Sequence, residues 1–189
     1  MVCKTSTQAR VARVPKERRE MDATALYKFH SGLYVVSAQA GDSIGACIIN
    51  TGLQLTSEPL QVMVAVNKQN HTESVIAKAG HFALTVVTES ANMLYIGRFG
   101  FRTSKDYDKF DGIECATTVL GDPYTPENAA CVLACDVVKT LDVGTHTVFV
   151  GEVKDATNLD DDPVMTYSYY HSVLKGKTPP KASSFIGEA

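Results

Sequence analysis

No stretch of this sequence approaches the roughly 18–20 consecutive apolar residues that a bilayer-spanning helix needs. A transmembrane helix is therefore excluded, and a soluble, cytoplasmic protein without a membrane partner is expected. There is no excess of charge of one sign either. Eighteen Lys and Arg stand against 21 Asp and Glu, a formal net charge of −3. No global basic field exists to recruit nucleic acid. The signatures G-x-G-x-x-G and G-x-x-x-x-G-K-[ST] are both missing, which disfavours a Rossmann dinucleotide site and a P-loop. Cysteine offers no metal site. The five residues Cys3, Cys47, Cys115, Cys131 and Cys135 are odd in number. The x-x-x spacing of Cys131 and Cys135 is not that of a zinc knuckle, and no second pair completes a tetrahedron. These two are expected to be reduced packing thiols on one face of their segment.

The ends differ from the middle. Residues 1–20 carry Lys4, Arg10, Arg13, Lys16, Arg18 and Arg19 against Glu17 and Glu20, with almost no large apolar residues. Without an apolar core this is no secretory signal, and a disordered basic extension is the expectation. A single domain should then span 21–174, followed by an exposed Lys/Pro/Ser-rich arm over 175–189.

What is present is an ordinary globular balance, 44% apolar and 21% charged residues, read with turn signals at short intervals. Asp22 is placed to cap a short helix with Leu26, Phe29 or His30, and Leu33 at helical spacing, ended by Gly32. Leu33–Ala38 and Ile44–Ile49 read as strands joined by a Gly41-Asp42 turn. Leu60–Val66 alternates, with Leu60, Val62, Val64 and Val66 on one face. Asn70 and Glu73 have the spacing of a capping box for a helix through Ala79, stopped by Gly80. Phe82–Val87 is a strand, Ser90 a cap for a second short helix through Gly97, and 99–110 a polar, aromatic loop. Cys131–Leu141 and His146–Val153 are β-like segments joined by an Asp142-Val143-Gly144 turn. The expected fold class is mainly β, a β-barrel with short helices.

Four clusters carry possible chemistry. In Asn50–Pro59 (NTGLQLTSEP), the side chains of Asn50, Thr51, Gln54, Thr56 and Ser57 both donate and accept hydrogen bonds. They match the edge of a flavin ring, and equally an ordinary inter-strand loop. Asn67, Lys68, Asn70 and Thr72 lie where a strand meets a helix N-terminus, suited to phosphate or to simple capping. Phe101 and Arg102 join an aromatic ring to a guanidinium that can hold phosphate or stay solvated. His146 opens a strand on the face of Val148 and Val150, either as a packed residue or facing a ligand.

In order, the segments NTGLQLTSEP, VNKQNHT, FGFR, DVGTHTVFVGEV and MTYSYYH resemble the flavin-reductase-like, FMN-binding split-barrel family. The likeness is strongest to its flavoprotein domains found alone or fused to rubredoxin in anaerobes, and covers about Asp22 to Lys181. The resemblance implies a six-stranded Greek-key split barrel that forms a homodimer with FMN near the interface. It implies that Asn50, Thr51 and Gln54 contact the isoalloxazine, with Thr56 and Ser57 beside it. Asn67, Lys68, Asn70 and Thr72 would hold the ribityl and phosphate end, and Phe101 and Arg102 would close on the phosphate or ring. His146 would orient NADH or NADPH, and Tyr167–His171 would come from the partner subunit or cover the ring. The implied activity is that of an NAD(P)H:flavin oxidoreductase. Electrons would pass through FMN to a flavin, a rubredoxin-like protein or an oxygen-utilising acceptor. The alternative is a flavoredoxin-like electron carrier without productive NAD(P)H oxidation. Rubredoxin-fused members carry paired CxxC motifs beyond the arm. This sequence ends at Ala189 without them, so a rubredoxin-like partner is expected to be a separate protein.

Overall fold

The structure is a computed structural model that describes residues 23–185. The basic extension over 1–20, the proposed cap Asp22 and Cys3 lie outside the described residues. Among the described residues a 3-10 helix, Ala23–Lys28, precedes nine strands and three α-helices. The strands are β1 (Tyr34–Ala40), β2 (Ser43–Ile49), β3 (Leu53–Ser57), β4 (Leu60–Asn67), β5 (His81–Val87), β6 (Ala116–Thr117), β7 (Pro123–Tyr124), β8 (Ala129–Asp142) and β9 (His146–Asn158). The helices are α1 (His71–Ala79), α2 (Met93–Gly100) and α3 (Tyr167–Ser172). Seven strands form one sheet in the order β2-β1-β5-β8-β9-β4-β3, and β6 and β7 form a small separate ribbon. Every pairing is antiparallel. Three tight hairpins, β1–β2, β3–β4 and β8–β9, supply the local pairs. After β4, helix α1 carries the chain across to β5, which pairs with β1 and β8 instead.

Two apolar cores sit on opposite faces of this sheet. The first is the barrel interior, where Val36, Val64, Val66, Phe82 and Phe149 meet Val75 and Ile76 of α1. The second lies outside, where α2 and α3 bring Ile96, Phe99 and Tyr170 onto Leu33, Val35 and Ala46. Strand β1 is therefore covered on both sides, and five of its seven residues are buried, Ser37 among them. Strand β4 has only its even residues buried and alternates as its sequence indicates. The mainly β architecture with short helices is thus borne out.

Several local expectations are corrected. The sheet has seven strands because residues 53–57, read as loop, pair with β4; all five side chains are exposed, so no periodicity marked them. The first helix is 3-10, with Leu26 63% and Phe29 79% exposed, and Leu33 is buried only beyond it. Helix α2 is capped by Asn92, whose Oδ1 accepts from the N–H groups of Leu94 and Tyr95 at 2.9 and 3.0 Å. Ser90 bonds Thr88 instead. At α1 the Asn70 side chain makes no capping bond, and Glu73 accepts from the Thr147 hydroxyl at 2.6 Å. Tertiary contact has taken the carboxylate that a reciprocal cap would use. Cys135 is buried in the barrel core, while Cys131 is half-buried at its edge.

Gly151 of β9 marks a tight approach in the barrel. A Cβ there would lie 2.7 Å from both Cys135 Cβ and Phe82 Cζ. We expect Gly151→Ala to destabilise the fold by about 1–3 kcal/mol through overpacking. Urea unfolding checks this, and an unchanged midpoint would show that Phe82 yields without cost.

Candidate functional site

The open ends of β2, β4 and β9 meet the end of α2 around a cleft enclosing about 530 Å³ with its mouth. Its floor is apolar, built by Leu33, Ile48, Ile49 and Ile96. Its polar rim collects Asn50, Thr51, Asn67, Asn70 and His146, with Phe101 at the side. Register explains part of this convergence. Asn67 is the last residue of β4 and pairs directly with His146, the first of β9. The turn before His146 depends on Gly144 at φ 87°, whose N–H bonds the Asp142 carboxylate at 2.8 Å. Thr51 is fixed by a two-way bond of its hydroxyl with Ala65, donating to O at 2.9 Å and accepting from N at 3.2 Å.

His146 is half-buried and its Nδ1 lies 2.9 Å from the Thr145 hydroxyl. Burial lowers its pKa, with the backbone of Lys181 acting partly in the opposite direction. A neutral imidazole therefore faces the cleft.

The remaining sequence-derived candidates lie elsewhere in the chain. Gln54, Thr56 and Ser57 are exposed on β3, where Gln54 Nε2 donates to Thr56 O and Thr56 to Pro59 O. Lys68 forms an ion pair with Asp142 at 2.6 Å. Thr72 is 2% exposed and turned towards the barrel. Its Cα would lie 2.7 Å from a Cβ placed on Gly45. Arg102 lies 4.4 Å above the Tyr107 ring, in a neighbouring groove that shares Phe101 with the cleft.

The segment Tyr167–His171, which the resemblance places at the ring, supplies Tyr167 and Tyr170 to the cleft lining because the chain before α3 pairs back, with Leu33 N–H donating to Met165 O and Met165 N–H to Val87 O. Sequence reasoning missed one component, the arm. The arm residues Pro179, Lys181, Ala182 and Ser183 form another wall. Their composition signals only an exposed tail.

The loop after α2 is fastened by a buried lysine. Lys109 is 3% exposed, and its Nζ donates to Ala46 O at 2.7 Å and Phe99 O at 2.8 Å. Ser104 makes a second clasp, donating to Ala46 O and accepting from Ala46 N. Together they hold the loop that starts at Phe101 against β2. Burial pushes the Lys109 ammonium down to about 8.

The model of the family described as "Flavin reductase like domain" matches residues 26–177. The chain belongs to this family. It is 44% identical over 166 residues to the ferric-chelate reductase (NAD(P)H) of Archaeoglobus fulgidus, covering 88% of this chain and 98% of that one. It is 38% identical to the high molecular weight rubredoxin of Moorella thermoacetica, covering 87% of this chain and 72% of that protein. The crystal structure of flavoredoxin from Methanosarcina acetivorans aligns with a TM-score of 0.62 at 23% identity, over 68% of this chain and 69% of that one. This last likeness is one of fold. The resemblance read in the sequence is thus borne out, and the chain is an oxidoreductase of the flavin-reductase type. Among the described residues no helix is long and apolar enough to cross a membrane.

The Lys109 clasp has a pH signature. The folded protein releases this proton near pH 8, whereas the unfolded chain holds it to 10.5. Between these values the unfolded state binds more protons, so the Lys109 contribution to stability grows as pH rises. Lys109→Met should remove that upward slope, seen as a wild-type-minus-variant difference in unfolding free energy that increases from pH 8 to 10. A flat difference would place the ammonium in water.

Proposed function

We propose that this protein is an FMN-dependent NAD(P)H:flavin oxidoreductase whose cleft holds the flavin ring. The carrying observation is the convergence of Asn50, Thr51, Asn67, Asn70 and His146 over an apolar floor. A flavin ring is a flat apolar body with an edge of alternating acceptors and one N–H. Neutral amides and hydroxyls complement that edge without placing a charge beside it. The groups present therefore fit. When bound, the flavin supplies the hydride-accepting centre, and the protein supplies binding and alignment.

In this reading Asn50 and Thr51 sit at the ring edge, with Asn67 and Asn70 towards the ribityl chain. The neutral His146 orients the nicotinamide and does not act as an acid. Phe101 closes the side, and Arg102 is left for the phosphate of a ligand that reaches past Phe101. Lys68, Thr72, Gln54, Thr56 and Ser57 would contribute only at the margins.

The relatives support two classes of electron acceptor. Similarity to a rubredoxin-fused protein supports a rubredoxin-like partner, and similarity to the ferric-chelate reductase supports a small-molecule acceptor. A flavoredoxin-like carrier, which takes electrons from another protein and not from NAD(P)H, is the second reading, favoured by the likeness to flavoredoxin.

A homodimer is part of the proposal. The outer face of β3, β4, β9 and β8 carries Leu53, Met63, Val148, Val150 and Leu141 in adjoining register. Leu53 and Leu141 are 57% and 56% exposed. The same face continues through Ala65 to Asn67 and His146, so a second copy docked there would border the cleft.

Anaerobic stopped-flow separates the two readings. NADH or NADPH should bleach the FMN-loaded protein; bleaching by dithionite alone would support the carrier and overturn the reductase. His146→Ala should slow nicotinamide-dependent reduction by about 10- to 100-fold while changing FMN affinity less than about threefold. Equal losses in both would remove His146 from the donor site. Arg102→Ala should weaken FMN binding about tenfold, ~1.4 kcal/mol, and leave riboflavin binding unchanged. Unchanged FMN affinity would take Arg102 out of the phosphate site.

A further inference from the structure

The arm that walls the cleft makes more hydrogen bonds to its rim than a passive tail requires. Ser183 Oγ donates to Asn50 Oδ1 at 2.8 Å, and Asn50 Nδ2 donates to Ser184 Oγ at 3.0 Å. Both functions of the Asn50 carboxamide are thus engaged by adjacent arm residues. One turn of chain earlier, the Lys181 carbonyl accepts from Asn67 Nδ2 at 3.2 Å, and the Lys181 backbone favours the protonated form of the His146 ring. Lys181 Nζ reaches back to Gln69 O at 3.3 Å. Ser184 Oγ donates in turn to the Tyr167 hydroxyl at 2.9 Å, and that hydroxyl lies 2.6 Å from Thr178 Oγ1.

The groups the arm offers are the ones a ligand would offer. A peptide carbonyl that accepts from the Asn67 amide, in the cleft that His146 also lines, stands where an amide carbonyl of a flavin or a nicotinamide would stand. The paired serine hydroxyls present an acceptor and a donor side by side to Asn50, as does the pyrimidine edge of a flavin. A ring bound against Asn50, Asn67 and His146 needs the positions that Ser183, Ser184 and the Lys181 carbonyl hold. The attachment is also shallow. Lys177, Lys181, Ser183 and Phe185 are exposed, and Pro179 and Ala182 are only half-buried. Segments with few buried apolar contacts open at low cost.

We propose that residues 177–185 form a built-in surrogate ligand, which occupies the ring-binding edge of the cleft and must leave it when flavin enters. This rests on the flavin reading of the cleft. The arm covers the apolar floor of Leu33, Ile48 and Ile96, and it sets the fraction of molecules open to the ring. Measured affinity and association rate both scale with that fraction.

The test is FMN binding by stopped-flow fluorescence quenching, with the full-length wild type and Ser183→Ala/Ser184→Ala, which removes the arm's hold on Asn50. The variant should associate with FMN about fivefold faster or more, with a matching gain in affinity and an unchanged dissociation rate. In parallel, trypsin cleavage of the wild type after Lys181 should accelerate in saturating FMN, because the arm is displaced. Binding with unchanged kinetics, or protection of Lys181 by FMN, would overturn the surrogate and leave the flavin site standing. Failure of both proteins to bind any flavin would overturn the flavin reading and the surrogate with it.

Discussion

The antiparallel pairing of β4 with β9 sets the positions on which the cleft depends. It brings Asn67 opposite His146 at one end, and places Val64 and Phe149 opposite each other, both fully buried in the barrel, three rungs further on. Strand side chains alternate with period two, so a slip of one residue would turn His146 inward and expose Phe149. Burial of Val62, Val64, Val66 and Phe149 therefore fixes the register, and the register delivers the polar pair to the rim. A site built at strand ends inherits the precision of the core without giving up core positions.

The same economy appears on the other side of the cleft. Strand β1 is buried on both faces, so the helices that cover its outer face are drawn close to the ends of β2 and β4. Lys109 completes this side by satisfying carbonyls of both Ala46 and Phe99 from one ammonium. A buried lysine is costly, and two short bonds to backbone oxygens offset part of that cost. The return is a loop whose first residue, Phe101, stands at the cleft wall. A neutral, amide-rich rim over an aliphatic floor follows, and this combination suits a flat heteroaromatic ring better than an anion or a metal ion.

Much of this was legible in the residues. The alternation of Leu60–Val66, the Gly80 stop of α1 and the Asp142-Val143-Gly144 turn each have a local cause, and each lies where its pattern indicates. The candidate rim residues Asn50, Thr51, Asn67, Asn70, Phe101 and His146 were identified from residue type and order, and the fold brings them together. Strand β3 was illegible because its side chains are all exposed and only backbone pairing defines it. The sequence points to Ser90 as the cap of α2 because Ser and Asn have similar capping strength, and the hydroxyl bond between Thr88 and Ser90 leaves the cap to Asn92. Glu73 was assigned to a local cap that a tertiary hydroxyl, Thr147, claims instead.

The sequence by itself determined the class of protein and the polarity of its cleft, because hydrophobic period and neutral hydrogen-bonding side chains are properties of short segments. Only the tertiary structure decided which of those groups share one space. Lys68 and Thr72 are close neighbours of Asn67 and Asn70 in sequence, yet one side chain reaches Asp142 across the β8–β9 turn and the other is buried beneath α1. Lys181, Ser183 and Ser184 lie more than a hundred residues from the amides of Asn50 and Asn67 that they bind. Proximity of that kind is set by the path of the folded chain, and no local pattern records it.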